Sequence, residues 1–431
     1  MRALYTLLAH LILPFLPLRL WWRARREPAY GEHIAERFGC YQALAPDARP
    51  ILWVHAVSLG ETRAAQPLVA RLHERLPGYR LLITHMTATG RRAGEDLFPD
   101  ALIAYLPYDL PWAARRFLQH FRPAIGVLME TEVWPNLIAA CAQAQVPLVL
   151  ANARLSARSA AGYQRTGSLA RNAFAGFDRI AAQTDADARR LSDLGARNVR
   201  VTGNIKFDAS MPPQSLSLAQ SFRGHYGARS VLLLASTREG EERLILDAIG
   251  RAPLPPELLV VVVPRHPQRF DAVAALIEAN GHALVRRSGA LDVPAEVGFV
   301  LGDSLGEMAA YYSASDIAFV GGSLVPVGGQ NLIEACAAGV PVLIGPSQFN
   351  FAQAASDAIA AGALIEIADA DALLRSVRSL LAEPLRRAQI AACGLRFAQT
   401  HQGAATRTAD LVIDALTASK GTARSDKRRG F

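Results

Sequence analysis

The sequence predicts an α/β protein made of two doubly wound, Rossmann-like domains, and three observations lead there. From residue 51 onward, strand-length apolar runs alternate with helix-length amphipathic segments. At 431 residues the chain exceeds what one hydrophobic core normally supports, so two domains of roughly 200 residues each are expected. Between two such alternating sets the composition turns to Ser, Pro and Gln (Met211-Pro-Pro-Gln-Ser215), which marks a linker. With 51% hydrophobic residues the chain is globular, not disordered.

Taken in order, residues 1–26 read as a membrane-anchor helix with a basic and aromatic flank. Residues 3–18 carry no formal charge and are rich in Leu, Ile and Phe, and Arg19 to Arg26 with Trp21 and Trp22 follow directly. The stretch is short of the ~20 residues a span needs, and His10, Pro14 and Pro17 weaken it, so spanning and interfacial attachment both stay open. No Ala-x-Ala cleavage site follows, which favours an uncleaved anchor, and the tryptophans and arginines behind it place the remainder on the cytoplasmic side. Residues 27–208 form the first domain, with strands expected near 51–57, 79–85, 102–106, 124–129, 147–151, 180–183 and 199–202 and a helical region at about 157–174. A linker at 209–229 precedes a second domain at 230–395, with strands near 231–235, 258–263, 282–285, 297–301, 317–320 and 340–344. A helix at 396–418 and a disordered basic tail at 419–431 close the chain.

The net charge of +8 gathers at the two ends, which suits an anionic membrane surface better than nucleic acid. Cys40, Cys141, Cys336 and Cys393 are far apart with no CxxC pair, so neither a zinc cluster nor a disulfide framework is indicated. The absence of GxxxxGKS and HExxH removes P-loop kinase and zinc hydrolase readings.

The chemistry-bearing residues cluster after strands. In the second domain, Gly321-Gly-Ser-Leu-Val-Pro-Val-Gly-Gly329 lies between an apolar strand and a short helix, a βαβ arrangement whose glycines let backbone N–H groups approach an anion. A tight turn explains the same glycines, but Glu334, one turn into that helix, offers a carboxylate to ribose hydroxyls. Pro264-Arg-His-Pro267 puts a guanidinium and an imidazole at another strand end, where a phosphate fits. Gly302-Asp-Ser-Leu-Gly-Glu307 adds a further loop. In the first domain, His55-Ala-Val-Ser-Leu-Gly-Glu61 ends a strand and opens a helix. Ser58 and Glu61 have capping-box spacing, which accounts for both without catalysis, and a helix N-terminus on its own lowers the basicity of Glu61. Glu130-Thr-Glu-Val-Trp-Pro-Asn136 follows another strand, and Asn152-Ala-Arg-Leu-Ser-Ala-Arg158 and Gly203-Asn-Ile-Lys-Phe-Asp208 bring cations to the same edge.

The glycine loop, its helix and Glu334 resemble the donor-nucleotide site of GT-B glycosyltransferases. With residues 55–61, 84–90, 105–109, 130–136, 152–163, 203–208, 264–266 and 302–307, the chain from the anchor to about residue 400 resembles the 3-deoxy-D-manno-octulosonic acid (Kdo) transferases. The resemblance implies a GT-B fold, two domains facing a central cleft, and inverting transfer of Kdo from CMP-Kdo to a lipid A precursor. It places the enzyme at the cytoplasmic side of the inner membrane. By motif position Glu61 is the implied proton acceptor, and Glu130 and Lys206 the implied transition-state stabilisers. CMP is implied to contact Arg265, His266, Leu305, Gly306, Glu307, Asn331, Leu332, Ile333 and Glu334. Leu305 and Leu332 replace the Met and Pro expected in many members, at positions where backbone can make the contact. No cofactor is expected: CMP-Kdo already carries activation, and Asp185-Ala-Asp187 opens a predicted helix, where first-turn acids belong anyway. A GT-B epimerase or other sugar transferase, and a membrane-tethered nucleotide sensor, are the competing readings.

Overall fold

Strands buried on both faces need near-continuous apolar sequence, and the runs ILWVH and LLVVVVP supply it. The computed structural model describes residues 1–25, 27–209, 213–289 and 292–429. They divide into two units, residues 1–209 with 402–431, and residues 210–401. In the first, strands β1 (Ile51–His55), β2 (Arg80–His85), β3 (Leu102–Tyr105), β4 (Pro123–Met129), β5 (Leu148–Ala153), β6 (Arg179–Ala182) and β7 (Val199–Val201) form one sheet. Its order is β3-β2-β1-β4-β5-β6-β7, and every pairing is parallel. The chain winds outward from β1 through β2 and β3, then returns to begin the other half at β4. The order therefore reverses between β1 and β4, and crevices in such sheets lie beyond the strand C-termini at that switch.

The second unit repeats the plan. Strands β8 (Ser230–Thr237), β9 (Leu258–Pro264), β10 (Leu284–Arg286), β11 (Phe299–Leu301), β12 (Ile317–Val320), β13 (Val342–Ile344) and β14 (Leu364–Glu366) form a second parallel sheet. Its order is β10-β11-β9-β8-β12-β13-β14, with the switch between β8 and β12. The expected strands are all present. β14 was not among the expected strands.

Four expectations change. The segment expected as an anchor is two helices, Arg2–Ile12 and Phe15–Ala24, bent by 54°. Pro14, which has no N–H to donate and clashes with the preceding turn, stands at the break. No single helix among the described residues is long and apolar enough to cross a membrane. Most of the expected linker is the helix Pro213–Tyr226, whose Phe222 is buried and stacks on Tyr311 at 4.9 Å; residues 210–212 lie outside the described residues. The helical region expected at 157–174 divides at Gly167, which takes φ +58°. Finally, the C-terminal helix is Ala404–Arg429, so it enters the expected tail, of which 430–431 lie outside the described residues. Its Ala405, Ala409, Val412 and Leu416 pack into the core of the first unit with Val54, Leu68 and Val127. Burying Val412 and Leu416 stabilises that contact by about 1.5–3 kcal/mol each, which is why the chain end belongs with the first unit.

Candidate active site

Glu61 lies in the first turn of the helix Leu59–Arg75, just after β1. The capping box forms: Glu61 N–H donates to Ser58 Oγ at 3.5 Å, and Glu61 Oε2 accepts the Val57 N–H at 2.8 Å. The Val57 bond, with the Ser58 hydroxyl donating to Glu61 Oε1 at 3.3 Å, favours the carboxylate, as the sequence suggests, but a larger effect opposes both. Burial, helped by the negative charges of Glu130 and Glu132, pushes the Glu61 carboxyl up to about 7. The expectation of lowered basicity is therefore reversed, and Glu61 titrates where a general base is useful.

Glu130 and Lys206 meet. Lys206 Nζ donates to Glu130 Oε1 at 2.9 Å. Glu130 directly follows β4, on the other side of the switch from Glu61, and takes a left-handed φ of +58°. Lys206 sits in a 3-10 turn (Ile205–Asp208) held from beneath by Asn152, whose Oδ1 accepts the Ile205 N–H at 3.0 Å. Asn152 is fully buried at the end of β5 and also left-handed, with φ +54°. Glu132 accepts Trp134 Nε1–H at 2.7 Å, and burial raises its carboxyl. Asp208 caps the C-terminal helix through the Gly403 and Ala405 N–H groups, and Asp187 accepts the Leu155 N–H at 2.9 Å, so both are structural.

In the second unit, Arg265 and His266 follow β9. Arg265 Nε donates to Gln330 Oε1 at 3.2 Å, and Arg238 Nη1 donates to His266 Nε2 at 2.5 Å. Burial, then the charges of Arg238, Arg265 and Arg269, hold the His266 imidazole below its usual range. Leu305 is exposed and Gly306 is left-handed, whereas the Glu307 carboxylate is engaged by Arg287 at 3.1 and 3.2 Å and by Ser304. Asn331 Nδ2 donates to Glu334 Oε1 at 2.8 Å. Leu332 and Ile333 are core side chains, so only their backbone is available to a ligand.

The glycine loop differs from expectation. Its Gly322, Ser323 and Leu324 N–H groups point at Glu241, at 2.6, 3.0 and 2.9 Å, and the Arg238 N–H adds a fourth bond at 2.8 Å. Glu241 is fully buried. An internal carboxylate thus occupies the donors that seemed open to a phosphate, across the switch between β8 and β12.

Comparison with known proteins decides the family. A model described as 3-deoxy-D-manno-octulosonic-acid transferase matches residues 32–209, and one described as glycosyl transferases group 1 matches 258–394. A 3-deoxy-D-manno-octulosonic acid transferase of Bordetella pertussis is 48% identical over 96% of this chain and 99% of that protein. The chain belongs to the Kdo transferase family. A Haemophilus influenzae member is 37% identical over 95% of the chain and 98% of that protein. Two solved structures share the fold. UDP-GlcNAc 2-epimerase from Neisseria meningitidis bound to UDP-GlcNAc has TM-score 0.60 and 16% identity, covering 85% of this chain and 99% of that one. Anabaena HepE in complex with UDP has TM-score 0.59 and 16% identity, covering 86% and 100%.

This Kdo transferase is therefore a glycosyltransferase of the GT-B fold class. Its first unit gathers Glu61, Glu130 and Lys206 around one topological switch, and its second holds the residues expected at the nucleotide. Sequence reasoning missed Asn152 as a support for Lys206, and missed Glu241 and Arg238 altogether. The available signal was Thr237-Arg-Glu-Gly-Glu241, a polar, glycine-containing turn directly after the strand that borders the switch.

Proposed function

We propose that the protein transfers Kdo from CMP-Kdo to a hydroxyl of a lipid A precursor in one inverting displacement, releasing CMP, at the cytoplasmic side of the inner membrane. Glu61 takes the proton as the acceptor O–H bond breaks. The oxygen bonds to the anomeric carbon, and the bond from that carbon to the phosphate oxygen breaks, with its electron pair leaving on CMP. Glu130 and Lys206 stabilise the charge developing in that step. CMP is held by Arg265 and His266, by the loop at Leu305, Gly306 and Glu307, and by Asn331 to Glu334, where Leu332 and Ile333 contribute backbone and Glu334 accepts from ribose hydroxyls. The observation that carries this reading is a carboxyl titrating at about 7 beside a topological switch, in a chain of this family. The exposed apolar residues Leu4, Leu7, Leu11 and Phe15, with Trp21 and Trp22, support attachment at the surface where a lipid acceptor resides.

The test incubates purified protein with CMP-Kdo, with and without lipid A precursor, following CMP release and product mass; a UDP-sugar serves as the control donor. Acceptor-dependent CMP release and a Kdo-modified lipid are expected. Transfer from the UDP-sugar alone would move the chain to another sugar-transferase activity, and nucleotide binding without turnover would leave a sensor.

A further inference from the structure

Arg238 and His266 meet across two neighbouring strand ends. Thr237 of β8 pairs with Pro264 of β9, which sets the residues that follow side by side. Arg238 Nη1 then donates to His266 Nε2 at 2.5 Å. A guanidinium carries donors only, so Nε2 is the acceptor and the imidazole proton sits on Nδ1. The ring is therefore neutral, with its one N–H on the side away from Arg238. Nδ1 makes no cap bond to the turn Pro267–Arg269 that follows it and has no other partner among the described residues. Arg238 is itself fixed: its N–H donates to Glu241 Oε2 at 2.8 Å, and its Cγ lies 3.3 Å from where a Cβ on Gly322, at φ +71°, would stand. Among the described residues no carboxylate engages its guanidinium, whereas Arg269 is bound by both oxygens of Glu242, from the helix Glu241–Arg251, at 2.8 Å. Gln330, from the loop after β12, is uncharged and bonds Arg265. Burial, then the charges of Arg238, Arg265 and Arg269, keep the ring from taking a second proton.

Strand order puts the pair inside the donor site. β8 lies between β9 and β12, so Arg238 stands between the proposed phosphate contact Arg265 and the proposed ribose contact Glu334. His266 is exposed, and its Nδ1–H is open to a ligand. An unrestrained imidazole changes charge and tautomer close to neutral pH, whereas a phosphate that gathers charge as CMP leaves needs a donor already in place. We propose that Arg238 is a positioning residue of the donor site: it holds His266 in the Nδ1–H tautomer, and His266 donates that hydrogen bond to a phosphate oxygen of CMP. Arg238 acts through the imidazole and not on the phosphate itself. This rests on the CMP-sugar reading above.

The test begins on the protein without ligand. Two-bond proton–nitrogen correlation spectra of histidine-labelled protein read each tautomer, and the His266 signal is the one that His266→Asn removes. In the wild type the ring is expected to be neutral with its proton on Nδ1 at neutral pH; in Arg238→Met it is expected to lose that preference and to take up its second proton at a higher pH. A wild-type ring protonated on Nε2 overturns the proposal, and that measurement needs no variant to fold. CMP titration follows, with an unchanged Tm as the control. Arg238→Met is expected to weaken CMP about tenfold, the scale of one hydrogen bond to a charged group. His266→Asn presents an amide N–H where Nδ1–H stood and has no tautomer to fix, so in that background Arg238→Met is expected to cost less than about threefold. A tenfold loss in both backgrounds makes Arg238 a phosphate contact in its own right and overturns the positioning role, as does no loss in either. Arg265→Ala and His266→Ala separate the two readings: retained CMP affinity in both removes the nucleotide placement and this proposal with it. A loss in both beside an indifferent Arg238→Met removes the positioning role alone.

Discussion

Lys206 Nζ donates to Glu130 Oε1 at 2.9 Å, joining two turns separated by 76 residues in the chain. Both side chains are partly exposed, at 25% and 22%, so the pair itself adds little to stability. Its effect is electrostatic. Glu130 is one of the charges that raise Glu61, and Lys206 offsets that charge. Lys206→Ala is expected to lower kcat by about 10²–10³, the scale of losing one transition-state stabiliser, and to move the acid limb of the rate profile to higher pH. Glu130→Gln moves that limb to lower pH. A limb that stays fixed in both variants would detach the pair from Glu61.

Glu61 yields the sharpest kinetic expectation. A general base must be ionised, and with its carboxyl at about 7 the transfer rate falls tenfold per pH unit below that point and levels off above it. Glu61→Gln keeps an acceptor for the Val57 N–H, so the helix cap survives. Transfer is nevertheless expected to drop by about 10²–10⁴ with CMP affinity unchanged. More than a few per cent residual activity would show that capping is the residue's whole role.

What could be read from the sequence follows the physics of each signal. Continuous apolar runs such as Leu258–Pro264 identify buried parallel strands without further help, and the S-x-x-E spacing at Ser58 and Glu61 gave the cap that forms. The titration of Glu61 was not legible, because it depends on burial and on Glu130 and Glu132, which arrive from another strand. The bond from the Ile205 N–H to Asn152, and those from the glycine loop to Glu241, join residues 53 and more than 80 positions apart. Only the strand order brings them together, and local pattern carries no register for such distances. Pro14 was visible as a weakness in the anchor; its consequence, two bent helices, needed the backbone.

Arg265→Ala and Glu334→Ala are each expected to weaken CMP binding by about 1.5–3 kcal/mol, the loss of one charge-assisted hydrogen bond. Both side chains are exposed, so melting temperature is the control and is expected to hold. Unchanged affinity in a direct titration of both variants would move the nucleotide elsewhere.

His55 and His85 set the acid limit of the first unit. Burial depresses the imidazoles to about 3 and about 4, against about 6.5 in an unfolded chain. Below 6.5 the unfolded chain binds protons that the folded one refuses. Stability is therefore full above about pH 6.5 and falls on acidification toward 4, by up to about 1.4 kcal/mol per unit for each histidine. Urea unfolding at pH 7.5 and pH 5, read by tryptophan fluorescence, measures the fall, and His55→Gln is expected to make it shallower. Equal midpoints for the wild type at both pH values would contradict this.

Attachment to the membrane is best tested without deleting the N-terminus. Thr6 Oγ1 donates to Asn136 Oδ1 at 2.9 Å, the Tyr5 hydroxyl bonds Asp109, and Asp109 accepts the Asn136 and Leu137 N–H groups at the end of the Glu130–Asn136 motif. Removing residues 1–26 would thus disturb the loop carrying Glu130 together with any membrane contact. Leu7, Leu11 and Phe15 are each more than half exposed, so Leu7→Gln, Leu11→Gln and Phe15→Gln combined alter the outer face alone. The two helices, of 11 and 10 residues, are each about half the length a span requires, and at 54° they suit the interface better than the bilayer interior. The triple variant is expected to keep its melting temperature, its CMP affinity and its activity on detergent-dispersed acceptor. On acceptor in anionic vesicles it loses more than tenfold, because each apolar side chain withdrawn from the interface removes about 1.5–3 kcal/mol. Equal activity of the two proteins on vesicles would show that this face is not the contact. Salt then resolves the wild-type mode: retention on vesicles at about 1 M marks apolar insertion by these side chains, and release marks an attachment held by Arg19, Arg23 and Arg25, whose attraction is screened within about 3 Å at that strength.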